Sequence, residues 1–424
     1  MAIPLTPTPA HAVLPEWRAG HARPRHLYLH IPFCHRRCAY CDFNTYANME
    51  HRIEAYVDAL CHELHSLEPM PPAALPAAQA GAGLMAATLR PTVFLGGGTP
   101  SMLPLALLER VLRAANALVP LEGAEVTIEA NPGTVLGRDY LRGLLDLGVN
   151  RISMGVQSLD DPTLRVLGRI HTAQEAYASF EDARAAGFRN INLDFIFGLP
   201  GQTVAQWEQT LATIGAWGAD HFSLYSLILE ERTPLYAQVT SGRVQIPDDD
   251  ATGAMYELAM QRLAAAGYRQ YEISNWARRD AGPIAPDVPE IPALACHHNL
   301  AYWLNVDYLG CGAGAHGHLY PRRYVDTLAV DGYITRALAG TPIAEITELT
   351  TQDLAAETMF MGLRVVTGVG YAHFKARVGA ALEDVYGDVL DELEREGLVI
   401  RVPGAVRLTE RGRLFGNRVF ERFV

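Results

Sequence analysis

Positive charge is in short supply: 35 Lys and Arg stand against 47 Asp and Glu, a formal net charge of −12. Non-specific attraction to nucleic acid or to an anionic membrane is therefore not expected. Long apolar runs are missing as well. The one stretch that imitates a membrane span, Pro69–Leu89, is charge-free over 21 residues. It contains Pro69, Pro71, Pro72 and Pro76 together with Gln79, Gly81 and Gly83, which break a regular spanning helix. The first 25 residues lack the basic-then-apolar order of a secretion signal, so a cytoplasmic protein is the expectation. Cysteine is sparse, six in 424 residues. Disulfide frameworks serve small secreted domains that cannot build a core, and this chain is not small.

What is present is a large apolar fraction, 49% of the residues. At roughly 150 residues per domain, the length suits two or three domains, or one α/β barrel with an appendage. From His26 onward, short apolar runs alternate with amphipathic segments. Strands are expected at His26–His30, Thr92–Leu95, Glu125–Ala130, Arg151–Met154, Asn190–Phe197 and His221–Leu227. Helices are expected at Ile53–Leu67, Leu105–Leu118, Tyr140–Leu147, Ala173–Ala186 and Val204–Trp217. Alternation of this kind implies a parallel sheet with right-handed crossovers.

Two Pro-rich inserts, Pro69–Thr88 and Asp280–Leu294, read as loops without chemistry. From about Glu345 the character changes. Gln352–Leu363 and Ala381–Glu396 look helical, Val399–Val402 and Ala405–Leu408 form a hairpin turning at Pro403-Gly404, and Thr409 caps a last helix. That outline is a winged helix, often a DNA reader. Yet Ala381–Val424 holds seven Arg and nine Asp or Glu, whereas a groove-binding domain is normally basic.

The strongest chemical signal is Cys34-His-Arg-Arg-Cys38-Ala-Tyr-Cys41, directly after the first expected strand. Thiolates suit iron–sulfur clusters and zinc, and this spacing lets one loop wrap one centre. A structural zinc site wants four ligands; the nearby candidates for a fourth are His30, His35 and Asp42, and none repeats the spacing of a second pair. Three thiolates on a four-iron cluster leave one iron open to a small molecule. The loop resembles that of the radical S-adenosylmethionine (SAM) superfamily, in which the amine and carboxylate of SAM chelate the open iron.

Further segments sit where such a barrel places its ligands, at the C-terminal ends of parallel strands. They are Gly96-Gly97-Gly98-Thr99-Pro100, Glu129 in Ile-Glu-Ala-Asn-Pro, Gln157 in Gly-Val-Gln-Ser, Asp194, and Arg169 in Leu-Gly-Arg-Ile-His. The resemblance narrows with Tyr28-Leu-His-Ile-Pro-Phe-Cys34, Phe94–Ser101, Glu129–Thr134, Arg151–His171, Asn192–Thr203, Glu272–Trp276 and Gly310–His316. These look like the oxygen-independent coproporphyrinogen dehydrogenase family and its relatives, and together they cover most of His26–His318. The resemblance implies a partial (β/α)6 barrel over 26–277, after an N-terminal extension at 1–25. A connecting region (278–344) and a small, mostly helical, winged-helix-like domain (345–424) follow. It further implies a [4Fe-4S] cluster on Cys34, Cys38 and Cys41, and SAM contacts from Tyr28, Tyr40, Gly97, Gly98, Thr99, Glu129, Gln157, Arg169 and Asp194.

Two departures set this chain apart from the dehydrogenase proper. That enzyme follows the triad with Cys-x-Cys, whereas Phe43 stands here, and its long N-terminal arm is replaced by about 25 Pro- and Ala-rich residues. Both match the HemW branch, which is regarded as a haem chaperone, as does His298-Asn299-Leu-Ala-Tyr302-Trp303. An imidazole is a usual axial ligand of haem iron, and aromatic rings can line a porphyrin face. Haem is then the cargo, and haem proteins, membrane respiratory enzymes among them, the recipients. A homodimer is left open, and the competing expectation is an enzyme that oxidatively decarboxylates coproporphyrinogen III. His316 and His318 are read as structural, Cys61 and Cys311 as small buried apolar residues.

Overall fold

A computed structural model describes residues 21–71, 88–133, 137–279 and 289–424. Most of the first Pro-rich insert, part of the second, and most of the N-terminal extension lie outside the described residues.

All six expected barrel strands are present: β1 (His26–Ile31), β2 (Thr92–Gly97), β3 (Glu125–Ala130), β4 (Arg151–Gln157), β5 (Ile191–Phe197) and β6 (His221–Ser226). They pair in sequence order, each parallel to the next. Between them run α1 (Ile53–Ser66), α2 (Leu105–Leu118), α3 (Arg138–Asp146), α4 (Ala173–Ala186) and α5 (Val204–Trp217). The helix starts are chemically marked. Thr172 with Glu175, and Thr203 with Gln206, form capping boxes that satisfy otherwise orphaned N–H groups of α4 and α5. Leu29, Val93, Ile128, Ile152 and Leu193 of the strands join Leu60, Leu112, Leu144 and Phe180 of the helices in one buried core.

Three strands run further than sequence alone suggests. β1 reaches Ile31, β2 Gly97 and β4 Gln157. The last residues of β2 and β4 are glycine or polar and lack the apolar signature of a strand, but parallel partners hold them in the ladder, Gly97 opposite Ile31 for example. The sheet also continues past the six. A hairpin of β7 (Tyr268–Glu272) and β8 (Asn275–Arg278) adds antiparallel to β6, and β9 (Leu309–Cys311) adds parallel to β1, giving nine strands. From β9 the Gly-rich turn leads into an antiparallel sheet of β10 (His316–Leu319), β11 (Arg322–Asp326) and β12 (Ile343–Glu348). β9 needs its glycine where this turn folds back on it, because a Cβ on Gly310 would lie 1.8 Å from the His316 carbonyl oxygen.

The C-terminal part has its own core, with Met359, Phe374, Leu390, Leu393, Val406 and Val419 buried together. Its helices Thr351–Gly362, Tyr371–Val378 and Leu382–Arg395 precede the hairpin Val399–Val402 and Ala405–Leu408. The Thr409 side chain accepts from the Gly412 N–H at the start of the next helix. The radical SAM barrel with a small, mostly helical, winged-helix-like end, expected from the sequence, is the architecture found. Among the described residues, no helix is long and apolar enough to cross a membrane.

Candidate functional site

Within the mostly buried barrel strands, accessibility singles out a few positions. Tyr28 on β1, Phe94 and Gly97 on β2, Glu129 on β3, Gln157 on β4 and Asp194 on β5 are half-buried among buried neighbours, and β6 exposes Tyr225 and Ser226. Strand side chains alternate between faces, so a single accessible residue in a strand packed on its outer side reports an open centre. Five of the residues expected as SAM contacts are thus on one inner rim.

The cysteine loop is tied to that rim by a chain of polar contacts. Arg169 Nη1 donates to Cys38 Sγ at 3.5 Å, and its Nη2 donates to Asn131 Oδ1 at 2.6 Å and to the Gly155 carbonyl. Asn131 Nδ2 donates to Thr99 Oγ1 at 2.7 Å, and the Thr99 hydroxyl donates to Cys34 Sγ at 3.8 Å. Tyr40 lies close enough to Arg169, Cys38, Cys41 and Asp194 to feel their charges. Burial pushes the Cys34 thiol up to about 11 and raises that of Cys41. Such thiols ionise when a metal compensates the charge.

The residues fit an iron–sulfur cluster. The three free thiols share one loop, and each already receives a hydrogen bond that favours the thiolate. Among the described residues, no three His, Cys, Asp or Glu side chains converge on one ion-sized point; a cube gives each thiolate its own iron and asks for no such convergence. The backbone beside the loop is a glycine cradle. A Cβ on Gly98 would lie 2.5 Å from the Phe33 carbonyl oxygen, and Gly97, at φ 111°, would drive one into the His30 ring. Gln157 adopts φ 69°, a left-handed conformation that costs a non-glycine residue about 1 kcal/mol or more.

Two carboxyls share the inner rim. Asp194 accepts from Ser153 Oγ at 3.1 Å and from Asn192 Nδ2 at 2.7 Å. Burial raises its pKa, and these donors oppose the rise. Glu129 accepts the Gly97 N–H at 3.0 Å. Burial, with the nearby Asp194 adding, pushes it up to about 7. Glu129 is thus poised to exchange a proton at neutral pH.

Tyr28, Gly97 and Glu129 form part of a cavity of about 400 Å³ that Tyr302, Tyr308 and His316 also line, with Phe43 and Leu328 at its lip. The loop after Cys41 is fastened across this opening. Asn44 Nδ2 donates to the carbonyls of Ala313 at 2.9 Å and Leu328 at 3.0 Å, and Tyr46 OH donates to Leu328 at 3.2 Å.

The His298 motif lies deeper, on a short helix, α6 (His297–Trp303), rather than in a loop. Its start is fixed by Glu125 at the opposite end of β3 from the rim. The carboxylate accepts the backbone N–H groups of His297 and His298, both at 3.0 Å, satisfying orphaned donors of the first turn. His298 is 1% exposed. Its Nδ1 lies 2.7 Å from Thr92 Oγ1 and its Nε2 2.9 Å from Tyr302 OH, and its ring stacks on Phe94 with centroids 4.9 Å apart. Burial, with His26 and Arg151 adding, holds its pKa well below the usual imidazole value. Helical spacing divides the motif. His298 and Tyr302 share the barrel face, whereas Trp303 packs under the Arg364 guanidinium, 4.4 Å from its ring centroid. Asn299, four positions before Trp303, is half-buried.

Sequence reasoning missed Phe94, Asn131, Tyr225 and Glu125. Asn131 was within reach, since it stands in the Glu-Ala-Asn-Pro segment; the role of Glu125 depends on residues about 170 positions away and leaves no local trace.

Residues 28–214 match the model of the radical SAM superfamily, and residues 349–415 that of the HemN C-terminal domain. The chain is 38% identical over 403 residues to "Heme chaperone HemW" of Bacillus subtilis (strain 168), covering 94% of this chain and 98% of that protein. The chain belongs to the HemW family. The Escherichia coli (strain K12) "Heme chaperone HemW" is 34% identical, with 95% of this chain and 98% of that one covered. A Danio rerio protein, "Radical S-adenosyl methionine domain-containing protein 1, mitochondrial", is also 34% identical, over 89% and 81%. Among solved structures, coproporphyrinogen III oxidase (HemN) from Escherichia coli, described as a radical SAM enzyme, superposes with a TM-score of 0.76 at 23% identity. That superposition covers 96% of this chain and 92% of HemN, a likeness of fold.

Proposed function

We propose that this chain is a cytoplasmic haem chaperone: it holds a [4Fe-4S] cluster, binds SAM beside it, and delivers haem to recipient haem proteins, membrane respiratory enzymes among them. The observation that carries this reading is near-full-length similarity to relatives named haem chaperones. Phe43, 71% exposed, stands where the decarboxylating enzyme has a cysteine, and agrees with it. In this reading, residues 26–277 form the cofactor barrel, 278–344 the segment that closes its floor and mouth, and 345–424 an appended domain.

Cys34, Cys38 and Cys41 would hold the cluster, which when bound and reduced would supply the electron that cleaves the sulfonium of SAM. The chain's own residues orient the nucleotide. Gly97 and Gly98 let backbone groups approach its amine, with Thr99 beside them, and the Glu129 carboxylate accepts from that amine. Arg169 is placed to pair with the carboxylate of SAM. Asp194 and Gln157, with Tyr28 and Tyr40, supply the polar and aromatic contacts that suit a ribose and an adenine.

Anaerobic purification, with iron and sulfide counted and spectra recorded before and after hemin, tests the reading. About four irons per chain and a hemin spectrum distinct from that of free hemin are expected. A protein that binds no hemin, but forms vinyl product from coproporphyrinogen III with SAM and reductant, would replace the chaperone by the enzyme.

A further inference from the structure

The haem reading leaves open where on this chain iron would find a ligand. Three histidines approach the cavity wall, and two are committed. His298 has both ring nitrogens hydrogen-bonded, as described. His30 is engaged likewise, Nδ1 lying 3.0 Å from Tyr28 OH and Nε2 2.9 Å from the Asn44 carbonyl oxygen. His316 differs: it is exposed at the start of β10, lines the cavity, and its ring has no hydrogen-bond partner among the described residues. Burial, with Arg323 adding, lowers its pKa, which favours the neutral imidazole with a lone pair to give.

The surroundings of His316 have the chemistry of a flat, largely apolar dianion. Phe43 and Leu328 are 71% and 57% exposed, and both line the same cavity. Large apolar side chains left this open, on one rim, mark a surface that something covers. Tyr302 and Tyr308 stack edge to face in the wall, their centroids 4.6 Å apart. In the adjoining cysteine loop, Arg37 is exposed and makes no ion pair among the described residues. Arg37 acts electrostatically on Tyr46, whose hydroxyl grips the Leu328 carbonyl. Asp42 and Glu129 also face the cavity; they oppose a buried carboxylate and favour carboxylates turned outward, toward Arg37.

Resting on the haem reading above, we infer that haem seats in the slot between Phe43 and Leu328, with His316 as its axial ligand and Arg37 facing its propionates. His298 then acts as a positioning residue, which holds Tyr302 in the wall. Because Gly97 and Glu129 form the inner part of the same cavity, cargo at the lip would lie over the proposed SAM contacts.

The test is hemin titration of the full-length, cluster-loaded protein under anaerobic conditions, read by Soret position and affinity. His316→Ala should lose the imidazole-ligated Soret position and weaken hemin binding by about tenfold or more, and added imidazole should restore the band. Leu328→Asp, remote from the cysteines, should weaken binding and leave the Soret position unchanged. Iron content and SAM binding serve as the folding control; should His316→Ala fail it, His316→Gln and Leu328→Asp decide. Wild-type binding with an unaltered Soret band and affinity in the His316 variant overturns this inference and leaves the chaperone reading standing. A wild-type protein that binds no hemin overturns both.

Discussion

The mouth and the floor of the barrel are built on opposite principles. At the floor, Glu125 caps α6, Thr92 and Tyr302 take both nitrogens of His298, and the histidine is 1% exposed. These polar groups are spent on structure. At the mouth, Glu129 is held near neutrality in its titration, Gln157 carries a strained backbone, and Phe43 and Leu328 stand in solvent. Unspent chemistry collects on one face, where barrel ligands bind. The comparison also separates two kinds of histidine. A motif histidine can be held entirely by the fold, whereas one read from the sequence as structural can leave its ring unengaged.

Variants at the two ends should therefore fail differently. The largest effect is expected from replacing Cys34, Cys38 or Cys41 by Ala. Iron and sulfide in the anaerobically reconstituted protein should fall to background, with the thermal transition of the metal-free chain little changed. Metal analysis and melting of the apo forms check this; a variant that keeps its full iron would break the assignment.

His298→Ala should do the reverse. It removes a stacked, doubly hydrogen-bonded ring from a filled space, at a cost of about 2–4 kcal/mol. Denaturant unfolding should show that loss, while cluster iron and the Soret position of bound hemin stay as in the wild type. A Soret shift in this variant would erase the contrast between floor and mouth.

The mouth was the more legible end. Cys34 to Cys41 lie in eight consecutive residues, and Gly97, Glu129 and Asp194 each sit in a strand whose apolar run announces it. The strand ends at Gly97 and Gln157 were blurred because ladder hydrogen bonds, not side chains, extend them. The floor could not be read in the same way. α6 is seven residues long and opens with two histidines, too short and too polar for helical periodicity to show. β9 has three residues and joins β1 across some 280 positions, a non-local pairing without a local signature.

Glu129 offers a test of intermediate size. With its pKa raised from 4.5 to about 7, Glu129 carries a proton below neutrality in the SAM-free protein, and on the proposed reading SAM bound through its amine would expel it. SAM affinity should then rise about tenfold, ~1.4 kcal/mol, between about pH 6 and pH 8, measured by calorimetry, and Glu129→Gln should flatten the profile. The same shift has the opposite sign for folding. The unfolded carboxyl ionises first, so apo stability falls as pH rises from 4.5 toward about 7.

The smallest effect is expected at the residue both ends share. Tyr302 contributes its ring to the cavity wall and its hydroxyl to His298 Nε2. Tyr302→Phe keeps the ring and deletes the hydroxyl, leaving a buried imidazole nitrogen without its partner, a loss of about 1 kcal/mol. If the floor serves only to hold the wall, unfolding should register that loss and hemin affinity should change by less than about twofold. A large drop in affinity with unchanged stability would mean that the phenol itself touches the cargo, and the division between a structural floor and a binding mouth would have to move down by one side chain.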